Sequence, residues 1–590
     1  MARPQTQKSA SSRAQKGDIK DPLLTQKNFE KELQALASKA KEETTSKWAL
    51  QQGQILLNSA TLLSLAAVYS NVSLLALSPI YGGIPSAVYH AKGVMTACFL
   101  GWSFNLFLRR RLPVKPILLL PVLAAWIPVM QFFLGKASGK LGNAAAGAIV
   151  MESLSLLPLV FLSVGCTATV LDELEMSPGR LQWLADATPG IASFAFFKGV
   201  EFVSMGYIGR TLGSTILHTR IGLSLLLTAC YSLLSPSKLL LYALPALLHT
   251  VVFNTHLPTP YGTARLNSSL MAMEGGWRLI DRQESLTGYI SVVESQKQGF
   301  RVMRCDHSLL GGEWMARENG IQEPIYGVFV MLEAVRLIES EVPKGGEKAL
   351  VIGLGIGTTP SAFIRLGLDT TIVEIDPVVH DYATKYFALP SRHTPILDDA
   401  VAFASKAASE GKKYQYIVHD VFTGGAEPVD LFTLEFIQDL YDLLEDGGAI
   451  AINYAADLLL PPSRITTTTI LTIFPTCRIF RESDRPPPST IATDGRDFTN
   501  MVIFCTKSPG TTISFREPEE HEYLNSRARR MFLVPKHEVF LEDFARRREG
   551  DMEVLRRNET GGFEGWQRES AGGHWVVMRT VLPEGIWESW

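Results

Sequence analysis

Long apolar runs fill the first half of the chain after a polar and basic start. Between residues 51 and 257 there are seven stretches of about 20 mostly apolar residues, the length that a helix needs to cross a bilayer. Buried helices of a soluble protein would carry charged faces, which these stretches lack. The pattern predicts a multi-pass α-helical membrane domain with spans near 55–77, 86–108, 115–135, 144–166, 187–208, 217–235 and 238–256.

Basic residues indicate how these spans are oriented. Ten Lys and Arg residues precede residue 50, and Arg109, Arg110 and Arg111 follow the second span, so both segments are expected on the cytosolic side. Seven spans would then place the second half of the chain outside. The span 187–208 is the weakest, because Lys198 and Glu201 lie one turn apart in it. Without it six spans remain, and we expect a cytosolic second half.

Charged and histidine side chains inside the apolar stretches have two interpretations. Glu152, Lys198, Glu201 and His249 could line a path for a polar solute, or they could pair with each other between helices. Pairing is the more common outcome for such residues, and we favour it.

The pattern changes after residue 257. "GYISVVESQ" and "FRVMRCDHSLLGG" alternate apolar and polar positions between turns, which predicts a small β-rich module and a connecting helix over 258–345. Fully apolar strands then alternate with helical segments over 346–507, which is typical of a parallel α/β sheet. We expect a disordered basic tail over 1–50 and a partly helical C-terminal appendix over 508–590.

Net charge and cysteine spacing exclude several functional classes. A formal charge of -3 supplies no field that would attract a polyanion, so nucleic acid is not an expected partner. The six cysteines are scattered without a C-x-x-C pair, which predicts reduced thiols and no metal site.

One segment carries a specific binding signature. It reads "KALVIGLGIGTTPSAFIRLGLDTTIVEIDP", in which Gly353, Gly355 and Gly357 follow an apolar strand and Glu374 ends the next strand. Glycines allow the backbone to approach a nucleoside at a helix N-terminus, and a carboxylate about 20 residues later accepts hydrogen bonds from ribose hydroxyls. A structural turn is the alternative, but the flanking strands favour cofactor binding.

Two further carboxylates follow strands of the same predicted sheet. "TPILDDA" places Asp399 after one strand, and "YQYIVHDVF" places Asp420 after another. Ligands of open α/β sheets bind beyond the carboxyl ends of the strands, where these acids meet Glu374. Each could instead cap a helix, although three acids at one edge make that explanation less attractive.

These motifs resemble the spermidine/spermine synthase family of aminopropyltransferases over roughly residues 286–507. The similarity includes "DHSLLGGEW", "VIGLGIG", "VEIDP", "DDA" and "YQYIVHDVFTGGAEPVDLF". It implies a small β module followed by a Rossmann-like domain of the class I methyltransferase type. By resemblance Glu374 holds the ribose, Asp399 holds the adenine amino group, and Asp420 deprotonates the attacking amine. Tyr326, which matches a tyrosine of the family's gate segment, is the second expected catalytic residue.

The chain departs from that family where the family binds a polycation. Ile356 and Thr423 occupy positions where the family carries aspartates for the aminopropyl ammonium and the diamine, and Gly327 and Val328 replace polar gate residues. An ammonium that leaves water needs a carboxylate partner, which an isoleucine cannot provide. Nucleoside recognition is thus retained, while polyamine recognition is weakened.

Three functions follow from the resemblance. The leading expectation is a membrane-anchored aminopropyltransferase of polyamine biosynthesis, with decarboxylated S-adenosylmethionine as cosubstrate and an amine or polyamine as acceptor. The second is a methyltransferase that uses S-adenosylmethionine, and the third is a non-catalytic nucleoside- or polyamine-sensing domain. The expected partners are the cosubstrate, the acceptor and the lipid bilayer, and the resemblance also allows a homodimer. Neither a prosthetic group nor a metal is expected.

Overall fold

The computed structural model describes residues 26–174, 182–316, 321–339, 347–421, 425, 428–474, 476–507, 512–546 and 552–589. The predicted tail lies partly outside these ranges, since residues 1–25 are not among them. From Gln26 onward the chain is helical, so the expectation of disorder up to residue 50 is wrong for this part. Its sequence, "QKNFEKELQALASKAKEE", is rich in the strongest helix-forming residues.

The first half of the described chain is a bundle of helices. The long helix α1 packs against α2, α6, α7 and α8, and α4 packs against α8. Buried Leu63, Tyr69 and Leu159 contribute to its apolar core. The helices are α1 (Gln26–Tyr81), α2 (Gly83–Ser103), α3 (Asn105–Arg111), α4 (Leu120–Gly135), α5 (Ala144–Leu154), α6 (Leu156–Leu171), α7 (Gln182–Thr211), α8 (Arg220–Leu234), α9 (Leu244–Leu248) and α10 (Pro260–Met271).

Fewer helices than expected are long and apolar enough to cross a membrane. Among the described residues three qualify, Leu33–Tyr81, Pro116–Gly135 and Ala187–Thr211, and a fourth if α5 and α6, bent by 45°, form one span. The seven-span prediction is not matched, because α8 has 15 residues. At 1.5 Å per residue it is shorter than a hydrocarbon core of about 30 Å. The segment 238–256 is broken into a 3-10 turn, α9 and a π turn.

Polar residues of the helical region pair with each other. Glu152 lies 2.6 Å from Nδ1 of His90, whose Nε2 lies 2.9 Å from the hydroxyl of Ser70. That hydroxyl donates to Glu201 at 2.7 Å, and Lys198 forms an ion pair with Glu201. Lys198 and Glu201 thus pair within α7, and Glu152 is connected to Glu201 between helices only through His90 and Ser70. His249 instead packs beside Phe132, with ring centroids 5.1 Å apart.

The β module is a five-stranded antiparallel sheet in sequential order. Burial alternates at the start of the first strand, where Leu279 is buried and Arg278 is exposed. The strand β2 is instead buried at every position after Gly288, so its alternating sequence does not mark a solvated face. A short helix, α11 (Gly327–Met331), connects the module to the next domain. The strands are β1 (Trp277–Ser285), β2 (Gly288–Ser295), β3 (Phe300–Cys305), β4 (Ser308–Trp314) and β5 (Glu323–Pro324).

The following domain is an eight-stranded sheet of order β13-β11-β12-β10-β9-β6-β7-β8. The pairs from β10 to β8 are parallel, and β11, β12 and β13 pair in antiparallel fashion. Its strands are β6 (Lys348–Ile352), β7 (Asp369–Glu374), β8 (Thr394–Leu397), β9 (Tyr414–His419), β10 (Leu444–Asp457), β11 (Thr476–Arg481), β12 (Phe498–Thr506) and β13 (His537–Val539). Its helices are α12 (Thr358–Arg365), α13 (Pro377–Tyr386), α14 (Ala400–Ser409), α15 (Leu434–Leu443), α16 (Pro461–Ile473), α17 (Pro488–Asp494) and α18 (Arg527–Phe532).

Both faces of the central strands are covered. Leu350 of β6 points into an apolar cluster with Phe403 and Leu440, whereas Val351, the next residue, packs with Phe363 on the opposite face. This alternation explains why the strands read as continuous apolar runs. The chain leaves β6 toward β7 and β8 and then returns to β9 on the other side of β6, so a crevice opens at the carboxyl ends of β6 and β9.

Two cysteines form a disulfide, contrary to the expectation that all six are reduced. Cys477 of β11 and Cys505 of β12 are directly opposite each other, and their Cα atoms are 4.1 Å apart. Twenty-eight residues separate them in sequence, so only the strand register brings them together. Cys98, Cys166, Cys230 and Cys305 are free thiols.

The C-terminal segment connects the helical region to the α/β domain. It contains α19 (Glu564–Val581) and α20 (Glu584–Glu588). Trp575 of α19 donates a 2.9 Å hydrogen bond to the carbonyl oxygen of Ile80 and stacks on Tyr81 at the end of α1. Arg304 of β3, which is fully buried, donates to the carbonyl oxygens of Pro79 and Ile586. The appendix thus fixes α1 against the β module.

Candidate active site

A cavity of about 1340 Å³ lies at the carboxyl ends of the parallel strands. Its walls come from four parts of the chain. The β module supplies Thr287, Cys305, Leu309 and Leu310. The α/β domain supplies Gly353, Gly355, Glu374, Asp399 and Asp420, the gate segment supplies Tyr326, and α19 supplies residues from Trp566 to Val581. Six of the seven site residues selected from the sequence therefore line one space, and Gly357 begins α12 next to it.

The glycine-rich loop needs glycine where it passes the end of β9. Gly353 has φ of +83°, and a Cβ there would collide with the carbonyl oxygen of Asp420. Both features exclude an L side chain. The loop thus lies against the residue after β9 and leaves its own amides near the cavity.

Glu374 ends β7 and is held in place by backbone amides. Its Oε2 accepts a hydrogen bond from the amide of Leu354 at 3.0 Å, and its Oε1 accepts from the amide of Asp376 at 2.9 Å. Burial raises the pKa of Glu374 to about 7, although both amide bonds lower it. Each oxygen keeps a lone pair, so the carboxylate can accept further hydrogen bonds from two hydroxyls.

Asp399 caps a helix and also lines the cavity. Its Oδ1 accepts a hydrogen bond from the amide of Ala402 at 2.9 Å, at the start of α14. The N-cap alternative therefore describes a real contact. The second carboxylate oxygen makes no hydrogen bond among the described residues, and the side chain is exposed at the cavity wall.

Asp420 follows β9 and is paired with a residue that the sequence analysis missed. Asn453 of β10 donates from Nδ2 to Oδ1 of Asp420 at 2.7 Å. Burial raises the pKa of Asp420 to about 6, against the lowering effect of this bond. Oδ1 of Asn453 is buried without a hydrogen-bond partner among the described residues. The signal in the sequence is a lone carboxamide inside the otherwise apolar strand "GAIAINYAA".

The gate segment forms an aromatic wall. The ring of Tyr326 meets that of Phe329 edge to face, with centroids 6.0 Å apart, and both line the cavity. Burial raises the pKa of Tyr326, and nearby Glu482 adds to the effect. The hydroxyl therefore stays protonated and can donate a hydrogen bond.

The two departures from the aminopropyltransferase pattern have different outcomes. Ile356 is 2 % exposed, packs in an apolar cluster with Ile290 and Leu354, and is absent from the cavity wall. This position therefore offers no partner to a donor ammonium. Thr423 lies outside the described residues.

The helix α19 closes the side of the cavity opposite the sheet. The hydroxyl of Ser570 donates to the carbonyl oxygen of Gly425 at 2.7 Å, and Nε2 of His574 lies 3.2 Å from the hydroxyl of Ser308. Burial lowers the pKa of His574 to about 4, so its ring is neutral near pH 7. Of the tryptophans of α19, Trp575 is buried against the helical region, whereas Trp566 lines the cavity.

Negative charge predominates around the cavity. Two arginines, Arg496 and Arg557, line it together with nine carboxylates. Such a wall favours a cationic donor and a cationic acceptor. The carboxylates are Glu374, Asp398, Asp399, Asp420, Asp430, Asp457, Asp494, Asp497 and Glu569.

Comparisons with known proteins place the site in context. Residues 329–466 match the family model of the spermine/spermidine synthase domain. The chain is 48% identical to an N-terminal histidine N-methyltransferase of Emericella nidulans, over 90% of this chain and 97% of that protein. It is 33% identical to a polyamine aminopropyltransferase of Vibrio vulnificus, over 30% of this chain and 58% of that protein. A probable spermidine synthase of Corynebacterium glutamicum matches with a TM-score of 0.34 and 16% identity, over 46% of this chain and 95% of that structure.

Proposed function

Because the chain belongs to the family of the N-terminal histidine N-methyltransferase of Emericella nidulans, we propose that it methylates a nitrogen of a polypeptide's N-terminal histidine. The methyl donor is S-adenosylmethionine. The observation that carries this proposal is the similarity over almost the whole length of both proteins, since the similarity to aminopropyltransferases covers less than a third of the chain.

The expectation of aminopropyl transfer in polyamine biosynthesis is wrong. It rested on motifs of the nucleoside-binding domain, which aminopropyltransferases share with this chain. The relative that matches 90% of the chain transfers a methyl group instead. The residue that indicated a different donor was Ile356. A donor that lacks a carboxylate depends on an aspartate to bind its ammonium group, and position 356 has no carboxylate.

Different walls of the cavity would hold the donor and the acceptor. The donor's nucleoside would lie over Gly353 and Gly355, with its ribose hydroxyls at Glu374 and its adenine near Asp399. These backbone and carboxylate groups are arranged before binding, which lowers the entropic cost of alignment. The carboxylates around the cavity attract the sulfonium charge of the donor.

Asp420 is the proposed proton acceptor. A histidine nitrogen forms a bond to the methyl carbon while the carbon–sulfur bond breaks, and the electron pair of that bond remains on sulfur. The histidine then releases one proton, which Oδ2 of Asp420 accepts. A pKa of about 6 suits this role near neutral pH, because the carboxylate is mostly ionised yet still basic.

Asn453 is a second contact for the acceptor in this proposal. Its Nδ2 holds Oδ1 of Asp420, and its buried Oδ1 has no described hydrogen-bond partner. An N–H group of the acceptor would satisfy this oxygen, because a buried polar atom without a partner costs free energy. Asp420 and Asn453 together would then fix the direction of the attacking residue.

We propose further that the helical region anchors the enzyme in a bilayer. Large apolar side chains are exposed along α7, with 81 % of Phe202 and 69 % of Val203 accessible. Exposed apolar area of this kind is unfavourable in water and suits lipid contact. Retention in the membrane pellet after alkaline carbonate treatment would support the anchor, and release into the supernatant would contradict it.

The methyl-transfer proposal is tested with the full chain purified in detergent. The enzyme is incubated with S-adenosylmethionine and a synthetic peptide that begins with histidine, and the mass of the peptide is measured. We expect a gain of one methyl group at the first residue. The same peptide with an acetylated N-terminus and a peptide that begins with alanine are matched controls. Equal methylation of the alanine peptide would contradict specificity for histidine.

A further inference from the structure

The cavity continues beyond Asp420 to a mouth between two helices. α17 contributes Ile491 and Asp494 to this mouth, and α19 contributes Trp566 and Glu569. Asp494 and Glu569 are exposed, whereas Glu374 at the donor end is 9 % exposed. The cavity is thus exposed between α17 and α19, and also beside Asp399, where the donor's adenine is proposed to lie.

The size of the cavity exceeds what a single small ligand needs. Small-molecule sites usually measure about 300–1,000 Å³, and this cavity measures about 1340 Å³. The space can therefore hold the donor, the histidine that reacts and the residues that follow it. Because the donor is proposed to occupy the exposed side at Asp399, a polypeptide whose first residue is at Asp420 would leave through the mouth between α17 and α19.

α19 is built with one face toward this space. Trp566, Ser570, His574 and Val577 recur at helical spacing and line the cavity, whereas Trp575 is buried against the helical region. Trp575 and the hydrogen bond from Ser570 to Gly425 hold the helix at both sides. The cavity face of α19 is consequently a fixed wall along which a chain can lie.

The mouth also has a defined electrostatic character. Neither Asp494 nor Glu569 forms an ion pair with a described residue. Burial raises the pKa of Asp439, and Arg557, one of the two arginines at the cavity, opposes that rise. Arg496, two residues after Asp494, also lines the cavity, but nine carboxylates against two arginines leave its wall attractive to positive charge.

We infer that the residues following the N-terminal histidine of the acceptor lie between α17 and α19, where Asp494 and Glu569 select basic side chains. This inference rests on the proposed function and adds the class of acceptor, a polypeptide that is basic near its N-terminus. A second observation is independent of the exposed carboxylates. The unpartnered Oδ1 of Asn453, on a side chain more than nine-tenths buried, faces the inner end of the same cavity.

Peptide binding to the full-length enzyme loaded with S-adenosylhomocysteine tests this inference. Three peptides begin with histidine and glycine and continue with two lysines, two serines or two glutamates, and calorimetry measures each Kd. The lysine peptide should bind more tightly than the serine peptide by about two- to fivefold for each carboxylate engaged, and the glutamate peptide more weakly. The preference should shrink as salt is added.

Two double variants distinguish the effect of the carboxylates at the mouth from the effect of carboxylates elsewhere on the surface. The double variant Asp494→Asn, Glu569→Gln should bind the three peptides with nearly equal Kd. The double variant Glu564→Gln, Asp446→Asn removes two carboxylates that are outside the cavity and should keep the wild-type preference. Equal binding of the three peptides to wild type, or a preference that survives in the first variant, would overturn the inference alone. Failure of all three to bind would overturn the proposed function as well.

Discussion

Nδ2 of Asn453, within β10, donates a hydrogen bond of 2.7 Å to Oδ1 of Asp420, the residue that follows the end of β9. This bond favours the ionised carboxylate and opposes the rise in pKa that burial causes. The carboxylate that is proposed to take a proton from the acceptor thus depends on a residue of the neighbouring strand.

Asn453→Ala is expected to change the pH dependence of the reaction. The variant loses the hydrogen bond to the ionised form of Asp420, so the pKa of that carboxyl rises above about 6. The acidic limb of the kcat/KM profile therefore moves to higher pH, because a higher pH is needed to ionise the base. A profile that keeps its wild-type midpoint would show that Asn453 acts on folding or binding only, and Asp446→Asn serves as the control.

Glu374→Gln is expected to weaken donor binding. The carboxylate is proposed to accept hydrogen bonds from the ribose, and hydrogen bonds to charged groups contribute about 1.5–3 kcal/mol. Calorimetry with S-adenosylhomocysteine should show weaker binding by about tenfold or more. Because Glu374 also holds the amides of Leu354 and Asp376, a melting curve is needed to exclude unfolding. Wild-type affinity in a folded variant would remove Glu374 from the donor site.

Gly425→Ala tests the contact between α19 and the loop after Asp420. Gly425 has φ of +86°, and a Cβ there would collide with Cβ of His574. We expect a large loss of kcat in this variant, since the loop or the helix must shift. Adding His574→Gly removes the collision and should restore part of the activity, although the backbone strain remains. No difference between the single and double variants would show that α19 does not constrain the loop.

The side of the proposed membrane anchor on which the α/β domain lies is testable at Asn558. The disulfide between Cys477 and Cys505 is typical of oxidising compartments and argues against the expected cytosolic location. Asn558 begins an exposed Asn-Glu-Thr sequon, whereas the side chain of Asn267 is hydrogen-bonded to the backbone of Leu279. We expect an endoglycosidase-sensitive shift that Asn558→Gln abolishes and Asn267→Gln retains. An unglycosylated protein whose Cys477 and Cys505 react with maleimide without reductant would support the cytosolic location.

Local patterns in the sequence were sufficient to predict which residues lie together in the proposed nucleoside-binding part of the site. Gly353 and Glu374 are 21 residues apart within one strand–turn–helix–strand unit, so their proximity follows from the unit itself. Asp420 was also predictable, because parallel strands end at one edge of a sheet. The assignment of roles to these residues stays a prediction.

Features that depend on distant parts of the chain could not be predicted. The disulfide requires the register of β11 and β12, and the bond between Asn453 and Asp420 joins residues of two strands. Ser570 reaches Gly425 across 145 residues, and its sequence neighbourhood of charges and glycines indicates only a polar helix. The transferred group was misjudged for a related reason, because the shared motifs describe how the donor is held and carry little information about the acceptor.

Mass spectrometry of a histidine-initiated peptide tests the central claim most directly. Wild type and Asp420→Asn are compared at saturating S-adenosylmethionine, and donor affinity is measured in parallel. We expect methylation of the first residue by wild type and a loss of kcat of about 10²- to 10⁴-fold in the variant, at nearly unchanged donor affinity. Absence of methylation by wild type enzyme that binds S-adenosylmethionine, or full activity of Asp420→Asn, would contradict the account.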